Sequence, residues 1–346
     1  MKLMVKEEKS KLNQLLENDE TIDLTLSYSK LSDFDRNGPM CLIRKNENTN
    51  AGLKHGSLVD DLLVDNMTGS NICEDTYYKF DGEKPTATLG TLCDIITNNF
   101  VDLPSLEDVQ NLVQINKFWN NIKNPVLLDE KYNIPEFWNY LNGIYEAKDR
   151  ILITTAEYND ALEIVSILKT HPYSKPIFIN GYENIYQVKF EIEYKEFKFR
   201  GILDLITIDH ETKKVYFTDL KTGKSPAIEF EDSFIKWRYY FQGGIYTLAF
   251  NEIMKQLNLE GYTLENFQFI YISKSDKIPL LYIMTDKWIK ASFNGFRIGR
   301  YLYKGIDQLV DDIYWCWKNK EYAVPRIIVE NNGIINIKDN FIEVHE

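Results

Sequence analysis

The sequence predicts a mixed α/β fold, a central mixed β-sheet flanked by helices and led by a largely helical N-terminal region. Three observations predict it. Up to about residue 171, apolar residues recur three and four apart, the repeat of amphipathic helices. From about residue 177 the repeat becomes alternation rich in β-branched and aromatic residues, the pattern of strands. Beyond that, helix and strand patterns succeed one another, which calls for helices layered on a sheet.

In chain order, MKLMVKEEKSKLNQLLEND is charged and helical in pattern, and lacks the apolar core of a signal peptide. YSKLSDFDRNGPMCLIRK follows, with a turn at Gly38-Pro39. Residues 56–66 (GSLVDDLLVDN) and 105–123 (SLEDVQNLVQINKFWNNIK) have helical spacing, the second capped by Ser105 with Glu107 and Asp108 in its first turn. Further helices run from Glu136 to Lys148 and from Glu157 to His171, where Pro172 stops the pattern. PIFIN, YQVKFEIEYKEFKFRGILDLITID and KKVYFTDLKTG read as consecutive antiparallel strands. A long helix from Glu231 to Leu257 comes next, then strands NFQFIYISK and IPLLYIMTD, a helix from Trp288 to Lys318 and a strand pair in RIIVENNGIINIKD. No Pro/Gly/Ser linker divides the chain. One domain over 1–346 is expected, with a helical part at 1–148, an α/β core at 150–290 and a C-terminal helix and strands at 291–346.

A chain of 346 residues, 44% hydrophobic and 27% charged, can bury a substantial core. It has no apolar run of membrane-spanning length, so a cytoplasmic protein without membrane association is expected. Cys41, Cys73, Cys93 and Cys316 stand singly and the four histidines are scattered, which gives free thiols rather than a zinc site. The formal charge of −12 counts against a nucleic-acid partner, usually read from a basic surplus. A local basic groove can override the sum, because a phosphate backbone responds to the nearby field.

The sharpest signal is GILDLITIDHETKKVYFTDLKTGK, residues 201–224. With Glu211-Thr212 at the turn, Ile208 faces Val215 and Asp204 faces Asp219, while Lys221 shares the face of Asp219. Opposed carboxylates destabilise a sheet unless something offsets them. A hard dication with oxygen ligands does so. Alone, an Asp-x-Lys on a solvated hairpin is commonplace, with the lysine as ion-pair partner. The apolar neighbours Ile202, Leu203, Leu205, Phe217 and Leu220 place this hairpin centrally instead, where acids need partners. Two acids, one amine and a metal suit phosphodiester hydrolysis.

GILDL followed by DLKTGK resembles the PD-(D/E)xK nuclease superfamily, in particular its RecB-like branch, which also includes phage-type exonucleases. WRYYFQGGIYTLAF strengthens the likeness, since Gln242 and Tyr246 reproduce the Gln-x-x-x-Tyr pattern that follows in RecB-like nucleases. The resemblance implies a restriction-endonuclease-like core and a DNA nuclease, most readily an exonuclease in recombination, repair or replication. It implies that Asp204 and Asp219 bind Mg2+ (Mn2+ as the substitute), with the backbone carbonyl of Leu220 completing the coordination. Lys221 is then catalytic, and Gln242 and Tyr246 contact DNA. LKHGSLVDDLL resembles the family's upstream Gly-Thr-x-x-His segment, with Asp60 where histidine is common, so Asp60 is a further metal ligand; His55 lies one turn earlier. A surface helix bearing Asp60 and Asp61 explains that segment equally well. Ser32 lies in a stretch resembling the lead-in of phage exonucleases and is either a DNA contact or a plain N-cap. Arg200, Lys224, Lys236 and Arg238 are phosphate-contact candidates, although isolated bases are more often solvated charges. Glu191 and Glu193 alternate with Phe190, Ile192 and Tyr194 and read mainly as the wet face of a strand. The wealth of Asn, Lys, Ile and Tyr resembles an AT-rich coding sequence, which with the motif suggests a phage or low-GC bacterial source.

Competing readings are an endonuclease of the same superfamily, a catalytically silent DNA-binding subunit, and a structural adaptor without nucleic acid, which the −12 charge keeps open. DNA is the expected partner, with room for a single-strand annealing or recombination protein and for a homo-oligomer.

Overall fold

A computed structural model describes residues 25–43, 51–85, 87–178 and 181–334. The chain forms two compact units, one from residues 1–50 and 168–346, the other from 51–167. The expected helix at the extreme N-terminus and the last part of the expected C-terminal strand pair lie outside the described residues.

The first unit carries the central mixed sheet of the predicted α/β class. In it, β1 is Thr25–Leu26, β4 is Glu183–Tyr194, β5 is Phe197–Asp209 and β6 is Lys214–Gly223. They are joined by β7 (Thr263–Leu264), β8 (Gln268–Ser273) and β9 (Pro279–Ile283). The second unit holds β2 (Tyr77–Phe80) and β3 (Ile151–Thr154), which pair in parallel. The β5–β6 hairpin has the register expected from its turn, with Ile208 opposite Val215 and Leu205 opposite Thr218. β6 pairs with β8 in parallel from Thr218 to Gly223, and β8 pairs antiparallel with β9.

The pairing of β5 explains the position of the site. β4 runs along one edge of β5 for almost its whole length. The other edge is shared, by β1 at Lys198–Phe199 and by β6 from Leu205 onward. β6 in turn leaves β5 after Thr218 and continues against β8 alone. A fork therefore opens between residues 200–204 of β5 and 219–223 of β6. The β4–β5 ladder also skips one pair here, Gln187 opposite Asp204, and Gln187 sits at φ 52°. Non-glycine residues at positive φ are uncommon within strands.

Helices cover one face of this sheet and bury Phe217, Phe269, Tyr240, Phe241, Ile245 and Ile253, each at most 1% exposed, together with Ile306 and Val310. The expected long helix over 231–257 is three helices, Phe230–Lys236, Tyr239–Leu248 and Phe250–Gln256. Arg238 breaks it by taking the left-handed conformation (φ 63°, ψ 34°), which no continuous right-handed helix passes through. Gly243 and Gly244, costly inside a helix, have a packing reason. A Cβ on Gly243 would meet the Met284 sulfur at 2.3 Å, and one on Gly244 the Ser292 hydroxyl at 2.3 Å.

The expected helix from 288 to 318 is two, Asp286–Asn294 and Ile306–Asn319, with a hairpin between them: β10 (Phe296–Ile298) and β11 (Tyr301–Tyr303). Glycines at 295, 299 and 305 disfavour helix there, and Phe296 and Tyr303 gain more by stacking, ring centroids 4.9 Å apart. PIFIN falls largely in a helical turn, Lys175–Phe178, and the first part of the expected C-terminal strand pair is the helix Arg326–Glu330 following Pro325. Proline pre-sets φ for a helix start, which overrides the β-branched residues after it.

The second unit packs its own core from Leu92, Ile96, Val109, Val113, Tyr132, Phe137 and Leu141, all buried. Ser105 caps its helix as expected, in a capping box with Asp108. The expected 105–123 helix ends at Ile115, and Lys117 and Trp119 stand at positive φ just beyond it. Among the described residues, no helix is long and apolar enough to cross a membrane.

Candidate active site

Asp204, Asp219 and Lys221 meet at the fork where β5 and β6 part. Two residues past Thr218, the last residue of β6 paired with β5, the N–H of Leu220 bonds to Asp204 Oδ2 at 2.9 Å rather than to the backbone of β5. The carboxylate thus takes over a sheet hydrogen bond and is fixed against β6. Asp219 is 1% exposed; Lys221 pairs with its Oδ2, and the side-chain amide of Gln242 donates to its Oδ1. Gln242 also donates to the Tyr246 hydroxyl at 3.1 Å, as residues one turn apart on the Tyr239–Leu248 helix can.

The electrostatics are those of a strained acid pair. Burial, and then the charge of Asp219, push the Asp204 carboxyl up to about 8, with Lys221 and the Leu220 N–H pulling the other way. Burial likewise raises Asp219, opposed by Lys221 and Gln242. Burial works against the Lys221 ammonium, but the neighbouring Asp219, then Tyr239 and Asp204, outweigh it and hold the lysine firmly protonated. The ammonium also stands 5.0 Å from the centroid of the Tyr239 ring, an attractive cation–π placement.

Gln242 Oε1, buried beside Asp219, has no hydrogen-bond partner. Buried oxygens are rarely left so. Two carboxylates with hard oxygen donors, sharing a single ammonium, fit a small divalent cation. Among the described residues no three His, Cys, Asp or Glu side chains gather as a ready cage. An ion here would rest on Asp204 and Asp219, with backbone and water oxygens supplying the remainder.

Several other residues singled out from the sequence face inward or are already paired. Gln242 and Tyr246 are 4% and 6% exposed, so in this arrangement they support Asp219 from below rather than project from the surface. Ser32 is no N-cap: Ser27 caps the Tyr28–Asn37 helix, and Ser32 is buried with its hydroxyl on the Trp237 carbonyl, 2.9 Å away. The Arg238 guanidinium is committed to Asp35 at 2.6 Å and to the Ile235 carbonyl. Arg200, Lys224 and Lys236 are exposed, as are Glu191 and Glu193; Glu191 pairs with Lys198 at 3.0 Å. Asp60 is half-buried on the Ala51–Thr68 helix of the second unit, where His55 bonds Asp160 and Asp61 accepts from Tyr77.

Sequence reasoning missed the aromatic wall around Lys221. Tyr239 and Tyr28 lie 6.0 Å apart, and the Tyr28 hydroxyl bonds the Trp237 carbonyl at 2.7 Å. Tyr239 was within reach of a spacing argument, three positions before Gln242 on one helical face. Tyr28, some two hundred positions from Trp237 in the chain, carried no such signal.

Residues 156–287 match the model of the PD-(D/E)XK nuclease superfamily. No curated protein matches the chain. Among solved structures, a provisionally named exonuclease from Eubacterium rectale aligns with a TM-score of 0.45 at 14% identity, over 93% of this chain and 94% of that one. The protein SSO0001 aligns with a TM-score of 0.24 at 15% identity, over 60% of this chain and 74% of that one. The segment similar to the PD-(D/E)XK nuclease superfamily contains both fork aspartates, Lys221, Gln242 and Tyr246.

Proposed function

We propose that the chain is a divalent-metal-dependent DNA nuclease, and that it acts as an exonuclease of the RecB-like kind. The observation that carries this reading is the convergence of Asp204, Asp219 and Lys221 at a fork in the sheet, two carboxylates sharing one ammonium. Asp204 and Asp219 would hold the cation, Mg2+ by preference for their hard oxygens, with Mn2+ as substitute. When bound, it supplies an activated water at neutral pH and offsets charge developing on the phosphate.

The protein's own groups do the rest. Gln242 fixes the rotamer of Asp219, with Tyr246 behind it, so that the carboxylate is held before substrate arrives. Lys221, kept as an ammonium by its neighbours, donates to the phosphoryl oxygen as negative charge builds there. Water adds to phosphorus, the P–O ester bond breaks, and the products are a hydroxyl end and a phosphate monoester.

The RecB-like Gln242-x-x-x-Tyr246 pattern after Asp219-x-Lys221 supports the exonuclease form. The decisive measurement is the loss of end-labelled linear DNA with and without magnesium, in wild type and Lys221→Ala. The variant is expected to lose about 10²-fold or more in rate, the scale of removing one transition-state donor. A wild type inert with both magnesium and manganese, yet still shifting DNA on a gel, overturns the enzyme in favour of a silent binding subunit. Cutting of a covalently closed circle overturns the exonuclease form alone.

A further inference from the structure

Outside the segment that matches the superfamily, one surface feature has the composition of a nucleic-acid contact. The residues 296–304, FRIGRYLYK, contain two arginines, a lysine and no acid, in a chain whose formal charge is −12. They form the β10–β11 hairpin, closed by the two residues Gly299 and Arg300. Cross-strand partners share a face. Phe296 and Tyr303 therefore share one with Ile298 and Tyr301, while Arg297 and Leu302 lie on the reverse.

The root of the first face is well anchored. Phe296 packs edge-on to Tyr240 and Trp288, and Tyr303 lies under the Arg238 guanidinium, 5.3 Å from its ring centroid. Further out the same face has no such support. Ile298 and Tyr301 are 43% and 57% exposed. The Arg300 guanidinium lies 5.2 Å from the Tyr301 ring centroid, so a cation and an aromatic plane are presented together. The hairpin overhangs an open cleft of about 750 Å³, whose opposite wall is the Phe230–Lys236 helix.

The geometry points to this hairpin as a guide for an unpaired strand of the DNA substrate, with bases laid against Ile298 and Tyr301 and phosphates met by Arg297 and Arg300. An aromatic platform interleaved with arginines is what binds single strands without sequence choice. The far wall carries Glu231 and Asp232 against Lys236, so it offers phosphate no net attraction; the backbone is left to the outer, arginine-bearing side and bases enter the cleft. The hairpin is tied to the candidate active site through Arg238 and Tyr240, which flank Tyr239 beside Lys221. The inference rests on the nuclease reading for its substrate, but not on catalysis.

The test is binding without turnover. Fluorescence anisotropy of a labelled duplex with a single-stranded tail, in EDTA, compares wild type, Tyr301→Ala and the double variant Arg297→Ala/Arg300→Ala, with circular dichroism confirming that each is folded. Tyr301→Ala is expected to weaken the tailed-duplex affinity by about tenfold, the scale of one stacked base. The double variant is expected to weaken it and to flatten the logarithmic salt dependence by about 1.4, two phosphate contacts on a single strand. Hairpin variants that bind as wild type does, from a wild type that binds and cuts, overturn the hairpin assignment and leave the nuclease reading standing. A wild type that neither binds nor cuts DNA overturns both. A change of oligomeric state in the variants with DNA affinity intact makes the hairpin a protein contact and overturns the assignment.

Discussion

Replacing Gln242 with methionine separates two roles that the same residue can play. Methionine roughly keeps the volume but removes both donors. The Asp219 Oδ1 and the Tyr246 hydroxyl then lose their partner in a region only 4% and 6% exposed at Gln242 and Tyr246. A hydrogen bond to a charged group contributes about 1.5–3 kcal/mol, and a neutral one about 0.5–1.5 kcal/mol. Rotation of the Asp219 carboxyl recovers part of this, so a net loss of about 2–3 kcal/mol is expected. For a unit of this size that is a fall of about 4–12 °C in melting temperature. The assay is thermal unfolding in EDTA, followed by cleavage kinetics at saturating metal, where kcat falls because Asp219 is no longer held. If Gln242→Met melts with the wild type and loses only DNA affinity, Gln242 contacts substrate and does not orient Asp219. That result would refute the reasoning.

Gly201→Ala should act through the same network: a Cβ there would stand 2.5 Å from the Phe190 ring and 2.9 Å from that of Tyr246. Displacing Tyr246 is expected to cost about 1–3 kcal/mol of stability and to lower kcat, and unchanged melting and turnover would show that the rings yield freely. Asp65 in the second unit accepts hydrogen bonds from Ser70 Oγ and Ile72 N at 2.7 Å and from Cys73 N at 2.8 Å. Burial raises its carboxyl, but these bonds outweigh burial and hold it below its ordinary 3.8. A carboxyl lowered in the folded state stabilises above its unfolded value and loses that contribution as pH falls through the folded one. Asp65→Asn should therefore melt below wild type at neutral pH, with the gap closing only in acid below about 3.8; a gap constant across that range would contradict it.

Much of the core was legible because its causes are local. The turn at Glu211-Thr212 and strict alternation on both sides set the β5–β6 register, and one wrong step would have turned Phe217 and Ile208 toward water. Ser105 with Asp108 fixed a helix start by a contact three residues long. The failures share the opposite character. Nothing near Arg238 announces a left-handed residue; its conformation is held by Asp35, some two hundred positions away. The 288–318 segment has helical spacing at both ends, and the hairpin in its middle exists because Phe296 finds Trp288 and Tyr240.

Residue types and spacing alone determined that two acids and a lysine stand on neighbouring strands of a hairpin, with a glutamine and a tyrosine one turn apart after them. The tertiary structure decided what those residues face. β1 and β6 divide one edge of β5 between them, so the sheet forks at Asp204, and a free Leu220 N–H is left for its carboxylate. The packed helix turns Gln242 and Tyr246 inward to Asp219. Alternation is a property of one strand and its nearest partner, whereas a fork and a buried contact depend on segments far apart in the chain, whose meeting is set by the packing of the whole core.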